Sequence, residues 1–391
     1  MAIVVAQRRI RVLQLLPSLR MGGPAYVVSG LLKYLGRSHF ESTLCTMYDL
    51  PPSAEIPFPV KELGIPWVHL RMKRFLEPRT WRNLSRLLRG ERFDIVHTHL
   101  TRADWYGRTI AHRCRFPRVV STIHGQDRFF NLLDFGPLGG RLVAAVNRFT
   151  VRWVDGLVAV SEGVREYLID VERISPQKIS VVRNGIELDE FDPSVADVAA
   201  TRQRLGIPQD ALVVGTVCQL HPRKGLVYLL RAAREVAQQV SRACFVLVGL
   251  GPQEAELRAL ASTLGLETKV LFRGGPHPEV ASIMRAMDVF VLPSLIEGLG
   301  LAVLEAQALE RPCVVTSIPG LSEAVVPDQT AIVIAPEDEG ALAEALLFLL
   351  AHEQERRIMG KAGRRFIEEH YSARQMARKY EEVYQGVLSA P

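Results

Sequence analysis

Short apolar runs rich in valine, leucine and isoleucine alternate along the chain with longer stretches whose apolar residues recur every three or four positions. The first pattern fits strands buried on both faces, the second helices with one apolar stripe. Strands are predicted at residues 11–16, 41–46, 65–70, 94–98, 118–123, 156–160 and 179–182. A second series follows at 212–218, 243–249, 269–272, 289–292, 313–316 and 331–334. Helical patterns fall at 24–35, 79–88, 138–153 and 224–238, and two long ones, 353–370 and 372–387, finish the chain. Such alternation predicts parallel sheets covered by helices on both faces, a Rossmann-like α/β architecture occurring twice. No repeat with a period of roughly 20–50 residues is visible, which excludes a solenoid.

The break between the two halves is expected in the polar, acidic stretch 184–200, which carries Glu187, Asp189, Glu190, Asp192 and Pro193. Residues 1–188, joined by the terminal helix 372–391, form the first expected domain and residues 189–371 the second. Open α/β sheets bind ligands beyond the carboxyl ends of their strands. Two such domains facing each other would place a site in the cleft between them, built from post-strand loops.

Composition narrows the class. A chain of 391 residues with 48% hydrophobic and 23% charged residues is long enough for two cores and too apolar for intrinsic disorder. The most apolar helical stretch, 341–351, contains Glu344 and is too short to cross a bilayer. Residues 1–6 are apolar, but Arg8, Arg9 and Arg11 follow them, the reverse of a signal peptide. The five cysteines, Cys45, Cys114, Cys218, Cys244 and Cys313, are scattered, which argues against a disulfide framework or a thiolate metal site. A cytoplasmic protein is expected. Charge is unevenly divided: residues 1–150 hold 23 Lys+Arg and 10 Asp+Glu, and the remainder is net acidic although the whole chain is +6. The first half should therefore meet something anionic.

The chemistry concentrates in P-S-L-I-E-G-L-G-L-A-V-L-E, residues 293–305. A buried strand ends in a loop holding Glu297, Gly298, Leu299 and Gly300, and a helix starts near Leu301. Glycines admit close approach of a ligand, and the free amides of a first helical turn make an anion site suited to a pyrophosphate. Glu305 shares a helix face with Leu301, Leu304 and Ala308, so its carboxylate needs a polar partner, for which sugar or ribose hydroxyls would serve. His97 and His99, two apart at a strand end, could mimic a metal pair, but no third ligand follows and a structural role reads better.

This constellation resembles the two-glutamate signature of family 4 glycosyltransferases, retaining enzymes of the GT-B fold. The resemblance extends to Met21-Gly22-Gly23, Asp94-Ile95-Val96-His97-Thr98-His99, Thr122-Ile123-His124-Gly125, Val160-Ser161 and Val182-Arg183-Asn184-Gly185. It continues in Arg223-Lys224-Gly225, Val248-Gly249-Leu250-Gly251-Pro252 and Pro319-Gly320. It implies a two-domain fold whose C-terminal helix returns to the first domain. It also implies transfer of a hexose-type sugar from a UDP- or GDP-sugar to an acceptor hydroxyl, on a lipid-linked, cell-envelope or exopolysaccharide glycan. In that reading Glu297 binds the donor sugar, Glu305 the ribose, and the amides of Leu299 to Leu301 the phosphates. Lys224 offsets charge on the departing diphosphate, and Gly249 and Gly251 belong to the donor side. His124 hydrogen-bonds the donor sugar, and Gly22 and Gly23 form the acceptor-side loop, although a plain tight turn reads equally well there. The family has an Arg five residues before the Lys; here that position is Gln219, and Arg223 is the candidate substitute.

No carboxylate announces itself as a nucleophile for double displacement. The family's front-face mechanism, with the leaving phosphate deprotonating the acceptor, is the expected one, without metal or other cofactor, since no Asp-x-Asp is present. An epimerase of the same fold and a degenerate membrane scaffold are the alternatives. Residues 71–92 carry Arg71, Lys73, Arg74, Arg79, Arg82, Arg86, Arg89 and Arg92 among Phe75, Leu76, Trp81, Leu84, Leu87 and Leu88. Residues 128–153 add Arg128, Phe129, Phe130, Leu132, Leu133, Arg141, Arg148, Phe149, Arg152 and Trp153. Basic helices with aromatics suit the anionic inner face of a cell membrane; solvated arginines over an ordinary packed face are the alternative. Nucleic acid is excluded as a partner for want of a binding motif.

Overall fold

The structure, a computed structural model, describes residues 8–19, 22–49, 63–73, 77–116, 118–194, 197–274 and 279–390, with backbone alone at 127–135 and 137. The chain divides into two units, Met1–Gly185 with Ala373–Pro391, and Ile186–Ser372.

The first unit is built on seven strands: β1 (Ile10–Leu16), β2 (Phe40–Thr46), β3 (Trp67–His69), β4 (Ile95–His99), β5 (Val119–Ile123), β6 (Gly156–Ala159) and β7 (Ile179–Val181). All pair in parallel, in the order β3-β2-β1-β4-β5-β6-β7. The second unit repeats the design with β8 (Leu212–Val217), β9 (Ala243–Val248), β10 (Val270–Arg273), β11 (Val289–Leu292), β12 (Cys313–Thr316) and β13 (Ala331–Ile334), in the order β10-β9-β8-β11-β12-β13. Each sheet therefore reverses its winding once, between β1 and β4 and between β8 and β11. At such a switch point the connections leave in opposite directions and uncover the carboxyl ends of two adjacent strands.

Burial explains why the strands were legible. Every residue of β4, β5, β9, β11 and β12 is buried, so no alternation of polar and apolar positions is needed. The apolar stretch at 341–351 lies in the helix Glu339–Ala351, whose Leu342, Leu346, Leu349 and Leu350 pack on the second sheet with Leu226, Leu229 and Val289. Among the described residues no helix is long and apolar enough to cross a membrane.

Three predicted helices differ in detail. The one expected from residue 224 begins two residues later, at Leu226, because Lys224 ends a separate 3-10 turn, Pro222–Lys224, and Gly225 turns left-handed at φ 64°. The helix expected at 138–153 is the second part of Asp127–Thr150, interrupted at Gly136 (φ 70°) and closed by the 3-10 turn Val151–Trp153. In Pro78–Gly90 the apolar side, Thr80, Leu84 and Leu88, is buried, and Trp81 turns inward to lie 5.5 Å from Tyr106. The exposed face of that helix is dominated by Arg79, Arg82, Arg86 and Arg89, with Trp81 half-buried; Arg74, Phe75 and Leu76 lie outside the described residues.

The final helix, Ala373–Ser389, packs on the first unit beside Gly23–Tyr34, and Glu381 accepts a 2.7 Å hydrogen bond from the Gly36 amide. Its Tyr380 and Tyr384 are fully buried and reach a polar cluster on one face of β1, β4 and β5. Tyr384 Oη is 2.9 Å from Gln14 Nε2 and 2.7 Å from His97 Nδ1, and Tyr380 Oη is 3.0 Å from Thr122 Oγ1. His97 Nε2 meets Thr122 Oγ1 at 2.8 Å, and His99 bridges Gln14 Oε1 at 3.0 Å and His124 Nε2 at 3.2 Å. Gln14, His97 and His99 have no exposed surface, so these bonds are what makes their burial tolerable.

Burial, reinforced by the neighbouring imidazoles, holds His97 and His99 well below the usual histidine range, and burial alone holds His124 at about 3. The unfolded chain binds protons at these histidines below about pH 6.5, whereas the folded unit does not. Stability must then fall as pH drops from 6.5, by roughly 1.4 kcal/mol per pH unit for each such histidine. A His97→Gln variant should be less stable at pH 7.5 yet show a shallower decline of its unfolding midpoint between pH 6.5 and 4.5. Equal slopes would show that the buried imidazoles do not set acid sensitivity.

Candidate active site

The loops that leave the switch point of the second unit are stitched together by backbone. After β11 the chain runs through Pro293, Ser294 and Leu295, and the Leu295 amide donates to the Arg223 carbonyl at 2.7 Å. Gly225 lies so close to Pro293 that a Cβ there would sit 2.0 Å from the Pro293 carbonyl oxygen. Two post-strand loops, one after β8 and one after β11, thus touch at the uncovered ends of adjacent strands.

Side chains converge on the same place. Lys224 Nζ pairs with Glu297 Oε1, both side chains only 12% exposed, and Ser294 Oγ donates to that oxygen at 2.9 Å. Ser294 is itself buried, and its carbonyl accepts from Thr316 Oγ1 at 2.5 Å. Glu297 is therefore aimed by two donors, and Lys224 is fixed by a 3-10 turn rather than by a helix. Gly320 backs the loop: a Cβ there would lie 2.7 Å from the carbonyl oxygens of Glu297 and Gly298.

Beyond Glu297 the chain passes Gly298 and the buried Leu299 to Gly300, whose φ of 74° turns it into the helix Leu301–Ala308. Gly300 occupies the N-cap position and can offer no side-chain acceptor; its carbonyl takes the Val303 amide at 2.8 Å, and no side chain caps the Leu301 amide that opens the helix. That is the electrostatic signature of an anion site. One turn further, Glu305 is half-buried, and burial together with the charge of Glu190 raises its carboxyl to about 7. Near neutral pH it is poised between forms.

The remaining predicted residues lie in other loops, some in the second unit and some in the first. Arg223 Nη2 donates to Gln219 Oε1 at 2.9 Å, so Gln219 holds the guanidinium four residues away from it. Gly249 and Gly251 follow β9 and lie against the backbone of Cys218 and Leu220, with the Leu220 amide donating to the Leu250 carbonyl at 3.0 Å. They set the spacing of the β8 and β9 loops. In the first unit, Gly22 precedes the helix Gly23–Tyr34, and its carbonyl accepts from the Ala25 and Tyr26 amides; Met21 is outside the described residues. His124 follows β5 and meets His99. The expected set is thus brought together in two groups, Gln219, Arg223, Lys224, Glu297 to Leu301, Glu305, Gly249 and Gly251 in one unit, and Gly22, Gly23 and His124 in the other.

Three contributors escaped the sequence reading: Ser294, which shares Glu297 with Lys224, and Tyr380 and Tyr384 from the last helix. Gln14 was the visible clue to the tyrosines, a lone amide inside the apolar strand R-V-L-Q-L-L. Among the described residues no group of three or more His, Cys, Asp or Glu is arranged to hold a metal ion.

Residues 197–366 match the family described as glycosyl transferases group 1, and residues 21–190 match Glycosyltransferase Family 4. A D-inositol 3-phosphate glycosyltransferase of Streptosporangium roseum is 32% identical over 324 residues, 77% of this chain and 73% of the relative. The UDP-Gal:alpha-D-GlcNAc-diphosphoundecaprenol alpha-1,3-galactosyltransferase of Escherichia coli is 32% identical over 245 residues, and the match spans 61% of each protein. Among solved structures, Anabaena HepE in complex with UDP and glucose has a TM-score of 0.84 at 18% identity, covering 97% of this chain and all of that one. Sucrose-phosphate synthase of Thermosynechococcus elongatus has a TM-score of 0.83 at 22% identity, covering 98% of this chain. These likenesses carry the fold, and the sequence matches carry the family: the chain belongs to the family 4, group 1 glycosyltransferases and has their GT-B fold of two Rossmann-like halves.

Proposed function

We propose that the protein is a retaining hexosyltransferase that moves a sugar from a nucleoside diphosphate sugar to a hydroxyl of a lipid-linked or cell-envelope glycan. One observation carries this reading: a carboxylate held by Lys224 and Ser294 stands directly before an uncapped helix N-terminus. The two halves of an activated sugar need those two environments. The diphosphate takes the amides of Leu299 to Leu301, with Lys224 and the guanidinium of Arg223 as counter-charges, and the hydroxyls of the sugar take Glu297. Arg223, positioned by Gln219, fills the place of the Arg that the family has at Gln219. Ionised Glu305, the larger fraction above pH 7, accepts the hydroxyls of the ribose, and His124 bonds the donor sugar. UDP is favoured as the nucleotide by the named ligands of HepE and by the UDP-Gal of the E. coli relative.

In the reaction the bond from the anomeric carbon to the β-phosphate oxygen breaks, and a bond from that carbon to the acceptor oxygen forms on the same face. The proton of the acceptor hydroxyl passes to the departing phosphate oxygen. Negative charge grows on the diphosphate as it leaves, which is where Lys224 and the helix amides stabilise the transition state more than the ground state. The chain's own cations carry this role, and no metal is invoked.

The acceptor class is supported by the diphosphoundecaprenol in the name of the E. coli relative and the phosphatidylinositol mannoside in that of a Mycolicibacterium smegmatis one. A membrane-bound acceptor calls for a membrane-facing surface, and the helix Asp127–Thr150 offers one. Leu138, Leu142 and Phe149 are 84%, 66% and 53% exposed and share a stripe at helical spacing, with Arg141 and Arg148 on the adjoining stripe. The exposed Arg79, Arg82, Arg86 and Arg89 of Pro78–Gly90 add positive charge without apolar anchors.

With UDP-sugars and a polyprenyl-diphosphate glycan, Lys224→Met and Glu297→Gln should each lower kcat by about a hundredfold or more, the size of losing one preorganised charge contact. Near-full turnover in both would sink the assignment, and turnover of donor without acceptor would point to an epimerase. Replacing Leu138 and Leu142 together by Glu should abolish co-sedimentation with phosphatidylglycerol vesicles while leaving the unfolding midpoint within a few degrees. Equal sedimentation with neutral phosphatidylcholine vesicles would remove the anionic-surface reading.

A further inference from the structure

We propose that His124 is fixed in the tautomer protonated on Nε2, with Nδ1 left as a hydrogen-bond acceptor, by a one-way chain of hydrogen bonds that runs from His124 through His99 and Gln14 and ends on Tyr384 of the C-terminal helix.

The direction follows from one amide. Gln14 Nε2 donates to Tyr384 Oη at 2.9 Å, which leaves Gln14 Oε1 facing His99 Nε2 at 3.0 Å. An oxygen can only accept, so His99 must carry its proton on Nε2. A neutral imidazole has a single N–H, and burial keeps this one neutral, so His99 Nδ1 is a bare lone pair. Its neighbour at 3.2 Å is His124 Nε2, which must therefore be the donor. His124, also held neutral by burial, is then bare at Nδ1. Among the described residues nothing bonds that nitrogen.

The other branch obeys the same sense. Tyr384 Oη accepts from Gln14 and so turns its own proton to His97 Nδ1, 2.7 Å away. His97 is then protonated on Nε2 and donates to Thr122 Oγ1 at 2.8 Å, and the Thr122 hydroxyl passes on to Tyr380 Oη at 3.0 Å. Each contact in the cluster then pairs one donor with one acceptor, and no donor meets a donor. Turning the Gln14 amide over would reverse the bonds to His99 and His124, make His124 Nε2 the acceptor and put the His124 proton on Nδ1. Sequence separation makes the arrangement unusual: Gln14 and Tyr384 are 370 positions apart, so the last helix of the chain sets the proton on a histidine that follows β5.

The consequence rests on the reading of His124 as a contact of the donor sugar. An acceptor at Nδ1 receives a hydrogen bond from a sugar hydroxyl and is left unpaired by a donor sugar lacking that hydroxyl, which is a means of rejecting deoxy sugars. Gln14, His99 and Tyr384 touch no substrate in this account; they are positioning residues.

The test is a long-range proton–nitrogen spectrum of the full chain labelled with 15N-histidine at pH 7.5, with signals assigned through His99→Gln and His124→Asn. The expected spectrum has Nε2 protonated and Nδ1 bare at both His99 and His124. Protonated Nδ1 at His124 overturns the proposal, and it is read in the spectrum of the unsubstituted protein once the signals are assigned. Gln14→Leu, which keeps the volume and removes both polar groups, should mix the two His124 tautomers, as should Tyr384→Phe; an unchanged His124 pattern in both contradicts the chain. In transfer assays Gln14→Leu should lower kcat/KM for the nucleotide sugar about threefold to tenfold, the effect of one hydrogen bond, with UDP affinity unchanged. An unchanged kcat/KM would refute the positioning role. Because the tautomer is read without turnover, failure to transfer any sugar would count against the transferase reading and leave the proton assignment standing.

Discussion

Two opposite charges share one small space at the carboxyl ends of β8 and β11, and most of what the second unit presents depends on their contact. Lys224 and Glu297 lie on different loops and are both largely withdrawn from water. Removing one partner from such a pair costs about 3–5 kcal/mol, because the other is left buried and unpaired. The pair therefore fixes two loops as firmly as the backbone bond from Leu295 to Arg223 does. Under the proposed function it is also a switch: a diphosphate at the helix Leu301–Ala308 would compete with Glu297 for the ammonium, and sugar hydroxyls would compensate the carboxylate.

Topology explains why chemistry gathers there. In both sheets the winding reverses beside the first strand, and the loops with glycines, the lysine and the glutamates leave from the strands that flank the reversal. Gly300 shows how sequence serves that placement. Its left-handed φ starts a helix without a side-chain cap, so backbone amides remain available to an anion where serine or aspartate would have occupied them. The first unit uses its own reversal differently. Between β1 and β4 it buries Gln14, His97 and His99 beneath the last helix, exchanging water for a closed set of hydrogen bonds.

The strands were legible because burial on both faces writes them as unbroken apolar runs, and the glutamate loop because glycine, carboxylate and helix start coincide within a few residues. What could not be read is instructive. Lys224 was expected to start a helix, since nothing in K-G-L-V-Y-L-L says that Gly225 turns left-handed against Pro293. Trp81 looked like a surface aromatic among arginines, but its partner Tyr106 lies on another helix. Nothing local in the last helix marks Tyr380 and Tyr384, because their partners come from strands hundreds of positions earlier. Local pattern reports burial; it does not report which buried polar group meets which.

The central claim is that a nucleoside diphosphate seats on the amides of Leu299 to Leu301 and draws Lys224 away from Glu297. A crystal structure of the protein soaked with a UDP-sugar tests it directly. The account predicts diphosphate density over those amides, with Lys224 Nζ on a phosphate oxygen and the sugar hydroxyls on Glu297. Density for the diphosphate elsewhere, or a Lys224–Glu297 pair that persists beside a bound nucleotide, would contradict it.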